Sequence, residues 1–436
     1  MAKDKGKLVY GSNKRNRHNE LKRHIDPMNP KDPMNPKDPM NPTDSMTVKP
    51  SQWTVMVYMA ADNNLDRAAL KDIAEMAKVG STEKVNILVQ LDREADRKTR
   101  RFFITKGGGY WKDCVETFEE TNTGNPQVLE NFMLWAIEKY PAKRYFLILW
   151  NHGGGWWEDP RRLACPPDRS IAYDDSSGGD ALDNGELKAA LSSIASKLGR
   201  PIDILGMDAC LMNMVEVAYQ LKDCVYVMVG SEEEEPFDGW PYDRVLQVIK
   251  NRPGRHPKTI GKEIVREYIK SYQGKEKDLP ASSVEGVTQS AIDLRRIDDV
   301  VRNLDCLSCE LIRSINDDWV LGAITYSWEH SPKFFYKNYI DLYRFIKLLK
   351  GRCRNKRIKE KAVELLRSLR PGRKKAILYH RHLGRRMRHT HGMSIYFPRS
   401  YINPRYRELD FYGDCRWGEF LEKYLDSPRR RRAHGD

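Results

Sequence analysis

Two apolar runs, Tyr145–Trp150 (YFLILW) and Ile202–Met207 (IDILGM), constrain the fold most. Both are rich in β-branched, aromatic and aliphatic residues, the pattern of a strand covered on both faces. The first stops at Asn151-His152-Gly153 and the second at Asp208-Ala209-Cys210. Similar runs at Trp53–Met59, Val85–Leu91 and Val225–Gly230 alternate with helical spacing over Asp66–Val79, Gln127–Tyr140 and Glu186–Leu198. Asn125 followed by Pro126 reads as a helix cap and first helical position. This alternation predicts an α/β fold, a mostly parallel sheet flanked by helices. In such sheets, side chains beyond the carboxyl ends of neighbouring strands meet at one rim. His152 and Cys210 are therefore expected to share a site.

The residue types suit nucleophilic catalysis. A thiol of ordinary pKa is only a few per cent thiolate at neutral pH and needs a base, for which His152 is the candidate. Glycine after His152 leaves backbone N–H unobstructed, so the N–H groups of Gly153 and Cys210 are candidates for binding an oxyanion. Taken singly, Cys210 more often reads as a small buried hydrophobe and His152 as a strand-end turn residue. Both falling directly after a buried-strand pattern favours the catalytic reading.

Four blocks, Trp53–Leu65 (WTVMVYMAADNNL), Asn151–Trp156 (NHGGGW), Asp208–Glu216 (DACLMNMVE) and Gly392–Pro398 (GMSIYFP), resemble the clostripain-like cysteine peptidases. That resemblance runs in order along most of the chain and implies a caspase-like fold, shared with gingipain, legumain and separase. It also implies a cysteine endopeptidase with His152 and Cys210 as its catalytic pair, cutting after Arg or Lys. The acidic specificity residue two positions before the nucleophile falls on Asp208, and a second one, on the loop after the next strand, is carried over to Asp238. Calcium is allowed by the resemblance, although acyl transfer by a Cys/His pair requires no cofactor, and no metal ligands are assigned.

Physical reasoning points the same way for Asp208. A partly desolvated carboxylate beside the nucleophile meets a guanidinium bidentately, favouring Arg by a few kcal/mol. Its bland alternative is a carboxylate capping the following helix. The run Glu232–Glu235 is expected to be a solvated acidic loop, as like-charged blocks usually are. Between the catalytic strands, 158–170 has the Pro and charge content of an exposed loop, where nicking concentrates. The resemblance implies self-cleavage there, with Arg161, Arg162 and Arg169 as candidates and Arg162 preferred.

The chain of 436 residues, 40% of them hydrophobic, can bury a large core. No apolar run reaches the roughly 20 residues of a membrane span, and the charged start MAKDKGK lacks a secretory pattern, so a cytoplasmic location is expected. Residues 1–48 contain three copies of a six-residue unit, Asp-Pro-Met-Asn-Pro followed by Lys, Lys and Thr in turn, and read as an extended, disordered extension. A catalytic domain is expected over 49–300, followed by a smaller, mainly helical carboxyl-terminal region over 301–436 packed on it and ending in a basic tail.

Charge is unevenly divided: 11 Lys+Arg against 6 Asp+Glu in residues 1–50, and 24 against 9 in residues 351–436, leaving −6 for the middle 300 of a total of +14. An acidic core steers basic substrates inward. The basic ends, Arg352–Arg388 and Arg429–Arg432, read as a solvated surface or as a contact for nucleic acid or another polyanion. A catalytically inactive binding protein using those ends is the alternative function. Eight scattered cysteines form no disulfide framework, and Cys306-Leu-Ser-Cys309 lies in helical spacing without a second metal-binding pair. His380, His382, His389 and His391 are expected at the surface or facing nucleic acid rather than binding a metal, and Gly107–Gly109 in a hairpin turn rather than a phosphate loop.

Overall fold

The apolar runs form the middle of a nine-stranded sheet. The computed structural model describes residues 49–156, 171–274 and 286–427. Among them are β1 (Trp53–Ala61), β2 (Val85–Arg93), β3 (Lys98–Phe103), β4 (Cys114–Glu119), β5 (Tyr145–Trp150), β6 (Ile171–Asp174), β7 (Asp180–Leu182), β8 (Ile202–Asp208), β9 (Val225–Gly230), β10 (Val287–Asp293), β11 (Tyr339–Asp341), β12 (Ile377–Leu383) and β13 (Ser394–Tyr396). The large sheet has the order β12-β10-β9-β8-β5-β1-β2-β3-β4. β2, β1, β5, β8 and β9 are parallel, while the two strands at each edge are antiparallel.

Burial follows the pleat. All nine residues of β1 are buried. Val55, Val57 and Met59 face one helical layer, with Ile73, Val245 and Ile264, whereas Met56, Tyr58 and Ala60 face the other, with Leu129, Leu187 and Leu304. Truncating a fully buried member such as Phe146 to Ala would cost about 3–5 kcal/mol through lost burial and the residual cavity. Helix Pro126–Lys139 starts as its sequence predicts: Asn125 accepts from the Gln127 N–H and Pro126 occupies the first turn. Asp183 and Glu186 close a reciprocal capping box on helix Asn184–Leu198.

The division expected at residue 300 does not appear as a boundary. Helix Ile297–Arg313 runs through it, β12 pairs with β10 at the sheet edge, and residues 49–436 cluster as one unit. The late apolar run forms β13, which pairs with β11. Cys306 and Cys309 lie in helix Ile297–Arg313, and all seven described cysteines are free thiols. Gly107–Gly109 falls in the connection of the antiparallel pair β3–β4. His380 and His391 are not surface residues of the expected kind. His380 is 9% exposed and bonds the Thr390 carbonyl at 3.0 Å, and His391 pairs with the buried Asp341 at 3.2 Å. No described helix is long and apolar enough to cross a membrane.

Candidate active site

The chain passes from β1 to β2 on one side and returns to β5 on the other, so the strand order reverses beside β1. At such a switch point the loops after neighbouring strands part and leave a crevice at the carboxyl rim. In the β5–β8 pairing Trp150 is opposite Asp208. His152 and Cys210 each follow that pair by two residues, so equal offsets on neighbouring parallel strands bring them to the same level. Both line a cavity of about 190 Å³ together with Leu65, Asp208, Glu235 and Phe237. That is room for an extended side chain rather than one water, whose share of liquid volume is about 30 Å³. Phe237 is 69% exposed at this site.

The backbone around Cys210 is tightly specified. Leu211, next in the chain, is a buried non-glycine residue at φ 65°. This left-handed conformation costs of order 1 kcal/mol or more, and clusters at functional sites that need an abrupt change of chain direction. Gly153 lies against the same turn: a Cβ on it would meet the Cys210 carbonyl oxygen at 2.4 Å and the Cys210 nitrogen at 3.1 Å. Only glycine allows that approach, which brings together the two residues expected to donate to an oxyanion.

His152 is oriented by a residue to which the sequence reading gave no role. Its Nε2 lies 2.7 Å from Asn64 Oδ1, on the loop after β1. An amide oxygen only accepts, so Nε2 carries the hydrogen and Nδ1 of the neutral ring stays bare. Burial lowers the His152 pKa from its ordinary value. The thiol moves oppositely: burial, then the nearby Glu234, Glu235 and Glu233 carboxylates, raise the Cys210 pKa, although Sγ accepts the Glu235 N–H at 3.3 Å. The substrate-free pair is thus neutral imidazole and neutral thiol.

Asp208 is 5% exposed and lines the cavity. It accepts from Tyr242 Oη at 2.9 Å and the Trp240 N–H at 3.3 Å, and burial pushes its pKa up to about 6 despite these donors. Trp240 reaches it because residue 206 in β8 is glycine, where a Cβ would come within 2.8 Å of the indole ring. The acidic run corrects the expectation of a solvated loop: Glu232 and Glu233 are 1% and 2% exposed. Their carboxylates are spent on packing, Glu232 accepting from the Gly392 N–H and Glu233 from the Phe335 N–H. Glu235 lines the cavity beside Asp208, accepting from Gln289 Nε2 at 3.1 Å, and burial followed by the Asp208 charge raises its pKa. Asp238 is absent from the lining and pairs with Lys71 at 2.7 Å with over half of each side chain exposed. Arg161, Arg162 and Arg169 lie outside the described residues, as does the tail Arg429–Arg432.

A second carboxylate group occupies the other side of β1. Asp62 after β1, Asp92 in β2, Glu120 after β4 and Asp174 ending β6 bring carboxylate oxygens within 4.8 Å of one another. No metal ligands were expected, because these four residues lie far apart in sequence without a spacing motif.

A match to the clostripain family model extends over residues 57–424. The chain therefore belongs to the clostripain family of cysteine peptidases. Clostripain of Hathewaya histolytica is 32% identical over 236 residues, a match covering 46% of this chain and only 43% of that relative. Two solved structures share the fold at lower identity. A secreted C11 cysteine protease from Bacteroides thetaiotaomicron, in complex with an irreversible peptide inhibitor, has a TM-score of 0.61 at 22% identity over 84% of this chain and 99% of its own. An inactive zymogen C11 protease from Parabacteroides distasonis has a TM-score of 0.60 at 20% identity with the same coverage.

Proposed function

We propose that this protein is a cysteine endopeptidase that cleaves after Arg or Lys through an acyl-enzyme on Cys210. The observation that carries this reading is one cavity in which the register-matched His152 and Cys210 stand beside Asp208 and Glu235. A cationic side chain enters toward the two carboxylates, replacing their lost hydration with charge-assisted hydrogen bonds. This places the following carbonyl over Sγ. Since thiol and imidazole are both neutral, His152 Nδ1 takes the thiol proton as the C–S bond forms, acting as general base rather than as half of a preformed ion pair. The Gly153 and Cys210 N–H groups receive the developing oxyanion. The imidazolium returns the proton to the departing amine, and water attacks the thioester by the same route in reverse.

Asp208 remains the first specificity residue, and Glu235 takes the place given to Asp238. Nothing in this chemistry calls for a cofactor, so calcium, if required, acts on structure. Self-cleavage after Arg161, Arg162 or Arg169 fits the same specificity, with Arg162 preferred.

Cys210→Ala and His152→Ala should each abolish hydrolysis of Arg peptides, and the double variant should lose no more, as residues of one unit do not add. Parental turnover by Cys210→Ala would end the proposal. Intact mass of active wild-type protein reads the processing: two associated fragments absent from Cys210→Ala support it, and one undivided active chain rejects self-cleavage alone.

A further inference from the structure

A cavity of about 310 Å³ lies across the sheet from the active site. β10 runs antiparallel to β9, with Ser290 opposite Gly230 and Asp293 opposite Val227, so it ends at the amino rim of the parallel strands, whereas His152 and Cys210 stand at the carboxyl rim. Arg296 follows that end by three residues and lines the cavity with Asp299, one turn further along helix Ile297–Arg313. Helix Lys356–Leu369, packed against it, supplies Glu364 and Arg367, and the turn before β12 supplies Lys374 and Lys375. That turn is fixed to the sheet edge. The Gly372 N–H donates to the Ile377 carbonyl at 2.9 Å, the Lys375 N–H to the Gly372 carbonyl at 3.2 Å, and the Asp293 N–H to the Ala376 carbonyl at 2.7 Å. Four lining residues are thus cationic against two acidic ones, and both acids are already paired: Asp299 with Arg296 at 3.7 Å and Arg302 at 3.6 Å, Glu364 with Lys361 at 2.9 Å. The side chains of Arg367, Lys374 and Lys375 bond to no carboxylate, carbonyl or hydroxyl among the described residues. Like charges converging on one concave surface repel one another and draw in anions.

We propose that this cavity binds a small anion carrying linked phosphate groups. Arg296 and Arg367 are planar forks that meet phosphate oxygens bidentately, and Lys374 and Lys375 add point charges on flexible stems, a mixture suited to several phosphate oxygens at once. The volume is roughly ten times one water's share of the liquid, so there is room for more than one phosphate group. No aromatic side chain lines the cavity. A nucleobase therefore finds no stacking surface, and the phosphates alone are recognised. The phosphate chain of a nucleotide and a free polyphosphate present the same chemistry here. Bound between Arg296, Arg367 and the Lys374–Lys375 turn, the anion ties the start of one helix and the end of another to the sheet edge. It lies at the rim opposite Cys210, so the inference is independent of the peptidase reading.

The test titrates sodium triphosphate into full-length Cys210→Ala protein, in which self-cleavage cannot intervene, in metal-free buffer of low ionic strength. Calorimetry should give one triphosphate per chain, bound about tenfold or more tighter than orthophosphate, and roughly a hundredfold excess over Kd should raise the melting temperature by roughly 3–5 °C. ATP should match triphosphate within about threefold, and ATP binding about tenfold tighter would overturn recognition by phosphates alone. Adding Arg367→Gln or Lys374→Gln should each weaken triphosphate about tenfold, while melting without the anion is equal to or above the Cys210→Ala parent because one repulsive charge is gone. Lys84→Gln and Lys112→Gln, exposed cations outside the cavity, should change nothing. No heat and no melting shift in the parent overturns the site, and so does binding that survives the Arg367→Gln/Lys374→Gln pair or falls equally in Lys84→Gln. A single-stranded oligonucleotide that binds through Arg367 and Lys374 where triphosphate does not would replace the small anion with a nucleic-acid surface. These readouts stand whether or not peptides are cleaved, so failure here and failure of the peptidase reading are separable.

Discussion

Two groups of buried carboxylates sit at the same carboxyl rim, one on each side of β1 and β5, and they are built differently. Asp208 is surrounded by donors, the Tyr242 hydroxyl and the Trp240 N–H, and opens with Glu235 into the cavity. Asp62 meets no N–H or hydroxyl and shares its hydrogen bond with the Glu120 carboxyl instead, and none of its group lines that cavity. A carboxylate that must accept and release a cationic side chain on every cycle needs neutral donors to hold it while the site is free, since an isolated buried charge would protonate instead. Carboxyls that face one another instead share protons, as burial and their mutual charge raise the pKa of Glu120 and Asp92. The same residue type, buried at the same rim, opens onto a cavity in one place and is closed in on its own kind in the other.

The largest effect that sharpens this contrast belongs to Asp208→Asn. It should raise the barrier for Arg peptides by about 2–5 kcal/mol, the cost of deleting one partner of a desolvated ion pair, while thiol alkylation at Cys210 changes little. Steady-state kinetics beside alkylation of the same variant decides it, and an unchanged Arg preference would place the pocket elsewhere. Glu235→Gln should have the same sign and a smaller size, about 1–3 kcal/mol, because Gln can still offer an oxygen to the entering guanidinium.

A pH profile separates the groups further. Asp208 has its pKa raised to about 6, so it is charged above that pH and neutral below it. Recognition of a cationic residue needs the charged form. The kcat/KM for Arg peptides, which reports the free enzyme, should rise about tenfold per unit up to pH 6 and then level. In Asp208→Asn that limb should vanish and leave only the one set by His152, whose pKa lies below its ordinary value. An unchanged acid limb would place the titrating recognition group elsewhere.

How far these features were readable from sequence depended on whether their determinants are local. β5 and β8 were legible because all six residues of β5 and six of the seven in β8 are buried, with Asp203 the one polar interruption, and the reactive residues follow directly. The edge strands were not: β3 reads Lys-Thr-Arg-Arg-Phe-Phe and β12 Ile-Leu-Tyr-His-Arg-His-Leu, since solvent on one face admits charge. The acidic run Glu232–Glu235 misled because repulsion between like charges argues for solvent, whereas Glu232, Glu233 and Glu235 meet donors from distant segments, Gly392, Phe335 and Gln289 respectively. Such partners are set by the fold alone. The group of Asp62, Asp92, Glu120 and Asp174 escaped notice for the same reason.

The smallest effect concerns Asn64, on the loop after β1, whose Oδ1 lies 2.7 Å from His152 Nε2. It is exposed, so its hydrogen bond to His152 Nε2 competes with water and should be worth about 1 kcal/mol. Asn64→Ala should lower kcat roughly fivefold, leaving KM for Arg peptides unchanged because the cavity carboxylates are untouched. A purely structural role would lower the melting temperature without that split. Asn64→Asp preserves the acceptor and adds a charge beside the imidazolium, so kcat near neutral pH should return while the acid limb of kcat moves to higher pH, as an adjacent carboxylate raises a histidine pKa. If Asn64→Asp kept the parental acid limb, Asn64 would not be the residue that orients the base. The ring would then be held through its own chain neighbours, Asn151, which accepts the Tyr173 N–H at 3.0 Å, and Gly153, which bridges Ile171 of β6.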